Sequence, residues 1–250
     1  TMDLIKTTSY LIRIPALILM FGCVSCNDWL DVSSKSQVLA DDLFADYEGH
    51  RNALNGIYYL MSHEDLYGRE LSWGMSSVLG QNYNYNRMSA PYLYTGQGRY
   101  TSSYVQPKIK AIWEKGYNAI ANCNNLILHA EKEDPSFYPE GEIEKGLILA
   151  EARGLRALMH FDLLRLFAPA PVRDDGAVYI PYKTIYPDLG TVPLTVNAVL
   201  DSIVYDLEYS RKHLAYHDTI YNLYTNENAS ARFEESRIAV NGGLFFSIRG

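Results

Sequence analysis

The sequence predicts an all-α fold, and three observations carry that reading. Apolar residues recur at i, i+3, i+4 and i+7 in several separate stretches, the spacing that lines one face of an α-helix. No stretch carries a strong strand pattern of alternating apolar and polar residues. Proline and capping residues punctuate the helical stretches where helices begin or end, as at Asp134-Pro135, Pro169, Pro171 and Pro193-Leu194-Thr195.

The amino terminus stands apart from the fold. Lys6 and Arg13 precede an apolar run from Ile14 to Val24, interrupted only by Pro15 and Gly22, that ends at Ser25-Cys26. A membrane-spanning helix needs about 20 apolar residues. This shorter run reads as a signal peptide over residues 1–26 that is cleaved, with Cys23 or Cys26 as the residue that becomes lipidated.

The first helix is expected from about Asp42 to Met61, on Leu43, Phe44, Tyr47, Leu54, Ile57 and Tyr58. Leu66 to Gln106 then reads as a long loop region, rich in Tyr, Asn, Ser and Gly and poor in charge. Loops of this length in a compact domain are functional or disordered, and the rings Trp73, Tyr83, Tyr85, Tyr92, Tyr94, Tyr100 and Tyr104 are too frequent for a disordered linker. It is read as ordered and functional. A second helix carries Ile109, Ile112, Trp113, Gly116, Ile120, Cys123 and Ile127 and closes between Lys132 and Asp134-Pro135.

A long helix occupies the stretch Ala150–Val172, AEARGLRALMHFDLLRLFAPAPV, in which arginines and apolar residues mix, as suits packing on several sides. Asp162 and Arg165 pair there at i,i+3, and Pro169 and Pro171 forbid continuation. Arg173 to Thr191 contains a short extended piece, Gly176 to Pro181, that supports rather than binds. Thr195 is the N-cap of a helix on Val196, Val199, Leu200, Ile203, Leu207, Ser210 and Leu214. A last helix starts near Glu235 with Ile238, Asn241, Phe245 and Ile248.

With 250 residues, 48% of them hydrophobic, the chain is long enough for one domain with a real core. The net charge is −7; without Asp3, Lys6 and Arg13 it is −8, from 28 acids and 20 bases, which argues against nucleic acid or a polybasic membrane contact. Beyond residue 26 only Cys123 remains, so no internal disulfide framework forms and stability comes from burial. Tyrosine is abundant, 21 against 8 Phe. Its apolar ring and polar tip suit a surface that stacks on sugar rings and hydrogen-bonds hydroxyls; equally, they suit half-buried helix positions.

Signals for catalysis are weak. His63-Glu64 lacks the second histidine a zincin helix needs, and His213 with His217 lacks a third ligand. Gly96-Gln97-Gly98 is not followed by a helix opening with a third glycine. The adjacent acids Asp41-Asp42, Asp174-Asp175 and Glu234-Glu235 read as solvated charge, because neighbours in sequence need not face each other across a glycosidic bond. Glu151, Arg153, Arg156 and Arg165 are structural, each buried charge satisfying another. No enzyme, metal or cofactor is expected.

The words Glu151-Ala152-Arg153, Arg156-Ala157, Phe161-Asp162-Leu163-Leu164-Arg165-Leu166-Phe167 and Pro171-Val172 resemble the signature helix of the SusD/RagB family of cell-surface glycan-binding lipoproteins. Cys26-Asn27-Asp28-Trp29-Leu30-Asp31, Ala53 to Tyr58, and Ile112-Trp113 with Tyr117, Ile120-Ala121 and Asn124 look like other family segments, so the resemblance runs from Cys26 to the end. It implies a tetratricopeptide-like helical repeat assembly with long irregular insertions, although no clean 34-residue period is visible. It selects Cys26 as the lipidated residue and makes residues 27–250 the N-terminal portion of a longer SusD-like chain whose missing half holds further binding residues.

The resemblance also implies an outer-membrane, cell-surface, lipid-anchored protein that binds an oligosaccharide and delivers it to a SusC-like TonB-dependent transporter. Two alternatives stand beside it, a peptide-binding RagB-like lipoprotein and a surface glycoside hydrolase. Coplanar exposed rings speak for sugar, partners for an extended backbone for peptide, and facing carboxylates for hydrolysis. The rings chosen for ligand binding are Trp73, Tyr83, Tyr85, Tyr92 and Tyr94. Tyr83 and Tyr85 flank Asn84 in an alternation that puts both rings on one side of an extended strand, with Asn82, Asn84 or Asn86 for hydroxyls, and Tyr92 and Tyr94 repeat the spacing. The competing account is that these rings pin the loop to the helices.

Overall fold

The computed structural model describes residues 42–214. The expected signal peptide, Cys26, His217 and the helix near Glu235 lie outside them. The chain divides into two compact units, Thr1–Leu43 and Phe44–Gly250, and the architecture below is that of the described part of the second.

Six α-helices are complete among the described residues: α1 Tyr47–Met61, α2 Met75–Leu79, α3 Ala90–Gly96, α4 Gln106–Lys132, α5 Glu142–Phe167 and α6 Val196–Leu214. A two-stranded antiparallel ribbon, β1 Val178–Ile180 with β2 Leu194–Thr195, closes the connection from α5 to α6. The fold is all-α, as expected. The extended piece before Pro181 is present as β1, and its partner is the dipeptide that runs directly into α6.

Local chemistry sets the helix ends. α1 begins five residues later than expected, because Asp46 is extended and its carboxylate accepts from the Gly49 N–H at 2.8 Å, an N-cap. Phe44, left outside the helix, is still buried and stacks on His129 of α4 with centroids 4.1 Å apart. α5 begins eight residues before Ala150. Gly141 turns the chain with a φ of +62°, and Glu142 and Glu144 favour the positive end of the helix dipole. It ends at Phe167, with Ala168 extended ahead of Pro169.

The long helices pack in sequence order, α4 on α5 and α5 on α6, while α1 covers α4. α5 is the centre. Its buried residues, among them the consecutive Ile148, Leu149, Ala150 and Glu151, fall on every side of the helix instead of on one stripe. Gly116 of α4 allows the close approach: a Cβ there would lie 3.1 Å from Leu163 Cδ2.

Several polar groups in and around this core are paired, most of them across helices. Arg156 of α5 donates through Nε and Nη2 to the two oxygens of Asp206 on α6, each at 2.7 Å, and through Nη1 to Asn124 Oδ1 on α4 at 2.8 Å. Arg153 meets Glu131 at 2.7 Å, Glu151 accepts from Tyr58 at 3.1 Å, and Arg165 meets Asp162 at 2.6 Å. Arg156 is buried and paired as expected, whereas Arg153 is half-buried and Arg165 is exposed; the Asp162–Arg165 pair forms at the expected spacing within α5.

Candidate functional site

The candidate site is the insertion between α1 and α4. It is not a structureless loop: a series of hydrogen-bonded turns leads to α2, a 3-10 turn over Tyr85–Arg87, and α3. Leu66, Leu71, Met75 and Val78 turn inward and are buried. Gly68 makes the first turn possible, since a Cβ there would lie 2.4 Å from the Ser62 carbonyl oxygen. Tyr67 donates to Asp162, tying the start of the insertion to α5; burial, with the Asp162 charge second, pushes the Tyr67 hydroxyl well above its ordinary value.

Glu70 holds the rest together. It is fully buried, and its Oε1 accepts from Arg69 Nε at 2.9 Å, Lys108 Nζ at 2.5 Å and Tyr92 Oη at 3.0 Å. Its Oε2 accepts from the Met75 N–H at 3.0 Å. Burial alone would raise its pKa, but these hydrogen bonds, those from Lys108 and Arg69 foremost, outweigh burial and hold the carboxyl below its usual range. One carboxylate thus joins α2, α3 and α4. Sequence reasoning missed it, although a signal exists: Glu70 is the one acid between Leu66 and Gln106.

The rings divide into two groups. Tyr85 lies against Gly96, where a Cβ would come within 2.3 Å of the ring. Tyr92 spends its hydroxyl on Glu70 and carries Lys108 over its ring at 5.2 Å. Tyr94 has Arg99 over its ring at 4.1 Å and Tyr104 beside it at 5.6 Å. Trp73, Tyr83, Tyr100 and Tyr104 face solvent, at 57, 40, 48 and 56% exposure.

The expected alternation is absent. Asn84 has a ψ of 87° and Tyr85 enters the 3-10 turn, so Tyr83 and Tyr85 do not share one side of a strand. Tyr92 and Tyr94 belong to α3, where residues two apart diverge by about 200°. What the fold brings together instead is Tyr94, Tyr104 and Arg99. The extended reading of Tyr92 and Tyr94 failed because Ala90–Gly96 is helical, with Pro91 in the first turn, where its missing N–H costs no helical bond.

Of the candidate acids, Asp174 and Asp175 accept from backbone N–H groups two residues on and from Asn197 and Tyr179. They brace a turn. Among the described residues no cluster of three or more His, Cys, Asp or Glu is placed to hold a metal, and no helix is long and apolar enough to cross a membrane.

The chain is 23% identical over 202 residues to the SusD-like protein P25 of Formosa agariphila, covering 79% of this chain and 36% of that one. It is 24% identical over 212 residues to the SusD-like protein P2 of the same organism, covering 81% and 38%. It therefore spans a little over a third of the length of these curated relatives. A solved SusD-like carbohydrate binding protein from Bacteroides vulgatus shares the fold, with a TM-score of 0.50 and 20% identity over 67% of this chain and 35% of that one. A SusD-like family model, described as starch-binding and associating with the outer membrane, matches residues 28–237, most of the chain, and the chain belongs to that family.

Proposed function

We propose that this chain captures a neutral oligosaccharide at the cell surface and passes it to a SusC-like TonB-dependent transporter, without catalysis, while a lipid on Cys26 holds it to the outer membrane. The observation that carries the proposal is the set of solvent-facing rings Trp73, Tyr83, Tyr100 and Tyr104 on an insertion that is itself pinned by Glu70 and Tyr67. Rings held on a rigid support stack on pyranose faces with little ordering cost. The support carries Tyr85, Tyr92 and Tyr94, and the exposed rings make the contact. Each ring contributes on the order of 1 kcal/mol, so several act together.

Calorimetry with a panel of neutral oligosaccharides tests this. Trp73→Ala and Tyr104→Ala each weaken binding about fivefold, roughly 1 kcal/mol, at unchanged melting temperature. Tyr92→Phe instead lowers stability, because it withdraws a donor from buried Glu70. Full affinity in both alanine variants puts the contact elsewhere in the molecule. Heat from extended peptides in place of sugars favours the RagB-like alternative.

A further inference from the structure

A second surface of the molecule has the shape and chemistry of a sugar site. Beside α6 an open cleft of about 380 Å³ is lined by Arg156, Tyr182, Thr184, Asp201, Ser202, Tyr205 and Asp206. That volume is at the small end of the range of about 300–1,000 Å³ usual for ligand pockets, room for one sugar residue. Tyr205 is 69% exposed, and it lies one turn beyond Asp201 on the same helix face. Ser202 and Asp206 stand in the same relation one position on.

The wall opposite is fixed in advance of any ligand. The Lys183 N–H donates to His160 Nε2 and its carbonyl accepts from Asn124 Nδ2, both at 3.0 Å, so the backbone leading into Thr184 is held at both polar groups. The Pro181 carbonyl accepts from Tyr117 at 3.0 Å. Tyr182 stacks on His160 at 4.0 Å and donates to Asp206. Asp188 braces the next turn, accepting from Lys183 Nζ, the Gly190 and Thr191 N–H groups and the Thr191 hydroxyl. A pre-built wall lowers the ordering cost of binding.

Charge selects the ligand class. Arg156 and Asp206 neutralise each other at the floor, and Lys183 is paired with Asp188, which among the described residues leaves the Asp201 carboxylate as the uncompensated charge of the lining. Arg156 uses three of its five N–H donors on Asp206 and Asn124. The Ser202 hydroxyl donates to the Ala198 carbonyl at 2.9 Å and so offers the cleft an acceptor; the Asp201 carboxylate offers two more, the Thr184 hydroxyl offers a donor, and Tyr205 supplies the stacking face.

We infer that this cleft is a second carbohydrate subsite that takes a single neutral pyranose residue against Tyr205 and rejects acidic sugars through Asp201. The inference rests on the carbohydrate-binding reading above, but uses none of its residues. The test is amide chemical-shift mapping on the full chain with maltotriose, mannotriose and xylotriose as neutral probes and trigalacturonic acid as the acidic one. At least one neutral probe shifts residues 201–206; Tyr205→Ala weakens that response about tenfold at unchanged melting temperature, whereas Tyr205→Phe keeps it. Asp201→Asn leaves neutral binding within about twofold and admits the acidic probe.

If neutral probes move 66–106 and leave 201–206 untouched, this inference falls while the insertion reading stands. If 201–206 respond alone, the insertion reading falls. Silence in both regions sinks both, and an acidic probe that binds the unaltered cleft more tightly than the neutral ones overturns the assignment of ligand class.

Discussion

His160 has a backbone carbonyl at one ring nitrogen and a backbone N–H at the other, and those partners decide its protonation. Nδ1 lies 2.9 Å from the Arg156 carbonyl oxygen, which only accepts, and Nε2 lies 3.0 Å from the Lys183 N–H, which only donates. The ring is therefore the neutral Nδ1–H tautomer, since a second proton would face an N–H. Burial is the main cause that lowers its pKa to about 3, and burial with the neighbouring His129 lowers that of His50 to about 4. Both folded values are below the ordinary 6.5, so the unfolded chain binds more protons as pH falls. Their stabilisation is complete above pH about 6.5 and is lost below it, at about 1.4 kcal/mol per pH unit for each histidine until its folded pKa is reached. The melting temperature is expected to drop steadily between pH 6.5 and 5. The ring nitrogen shifts of His160 are expected to stay those of a neutral ring for as long as the fold persists; titration near pH 6.5 in the folded state would contradict the assignment.

At the scale of elements, the insertion depends on close backbone approach as much as on side chains. Gly68 leaves no room for a Cβ, because the atoms it would meet, at 2.4 to 2.9 Å, belong to the backbone of Ser62 and His63 and cannot swing aside. Gly68→Ala is expected to destabilise by about 1–3 kcal/mol and to weaken sugar binding by displacing the turn that carries Trp73. Thermal melts and calorimetry on the same variant check both. A wild-type melting temperature would mean that the turn adjusts freely. The helix pair α4 and α5 poses the milder version of this problem at Gly116, where the neighbour is the Leu163 side chain and can yield.

For the described part of the chain, the long helices form a support, and the two surfaces proposed to meet ligands lie on the insertion and beside the β1–β2 connection. The family is described as associating with the outer membrane, and the anchoring proposal concerns residues outside the described ones. Cys26→Ala is expected to release the protein from the membrane fraction of cells that carry it, with folding unchanged. Membrane retention of that variant, or mass spectrometry that finds acylation on Cys23, would refute Cys26 as the lipid site.

The sequence by itself determined the long helices, though not where α5 begins, and it did not show α2 and α3. The faces of α1, α4 and α6, the stop at Pro169, the Thr195 cap and the Asp162–Arg165 pair are all local, set by periodicity and by groups within a few residues of one another. It also marked 66–106 as the region where aromatic rings gather at low charge. Only tertiary structure decided which rings are free. Tyr85, Tyr92 and Tyr94 are held by Gly96, Glu70 and Arg99, while Tyr100, Tyr104 and Tyr205 face solvent. It also chose Asp206, fifty residues on, for Arg156, and Lys108 for Glu70. The physical reason is that exposure and charge pairing depend on which helix packs against which, and a contact between distant residues leaves no periodic trace in the chain.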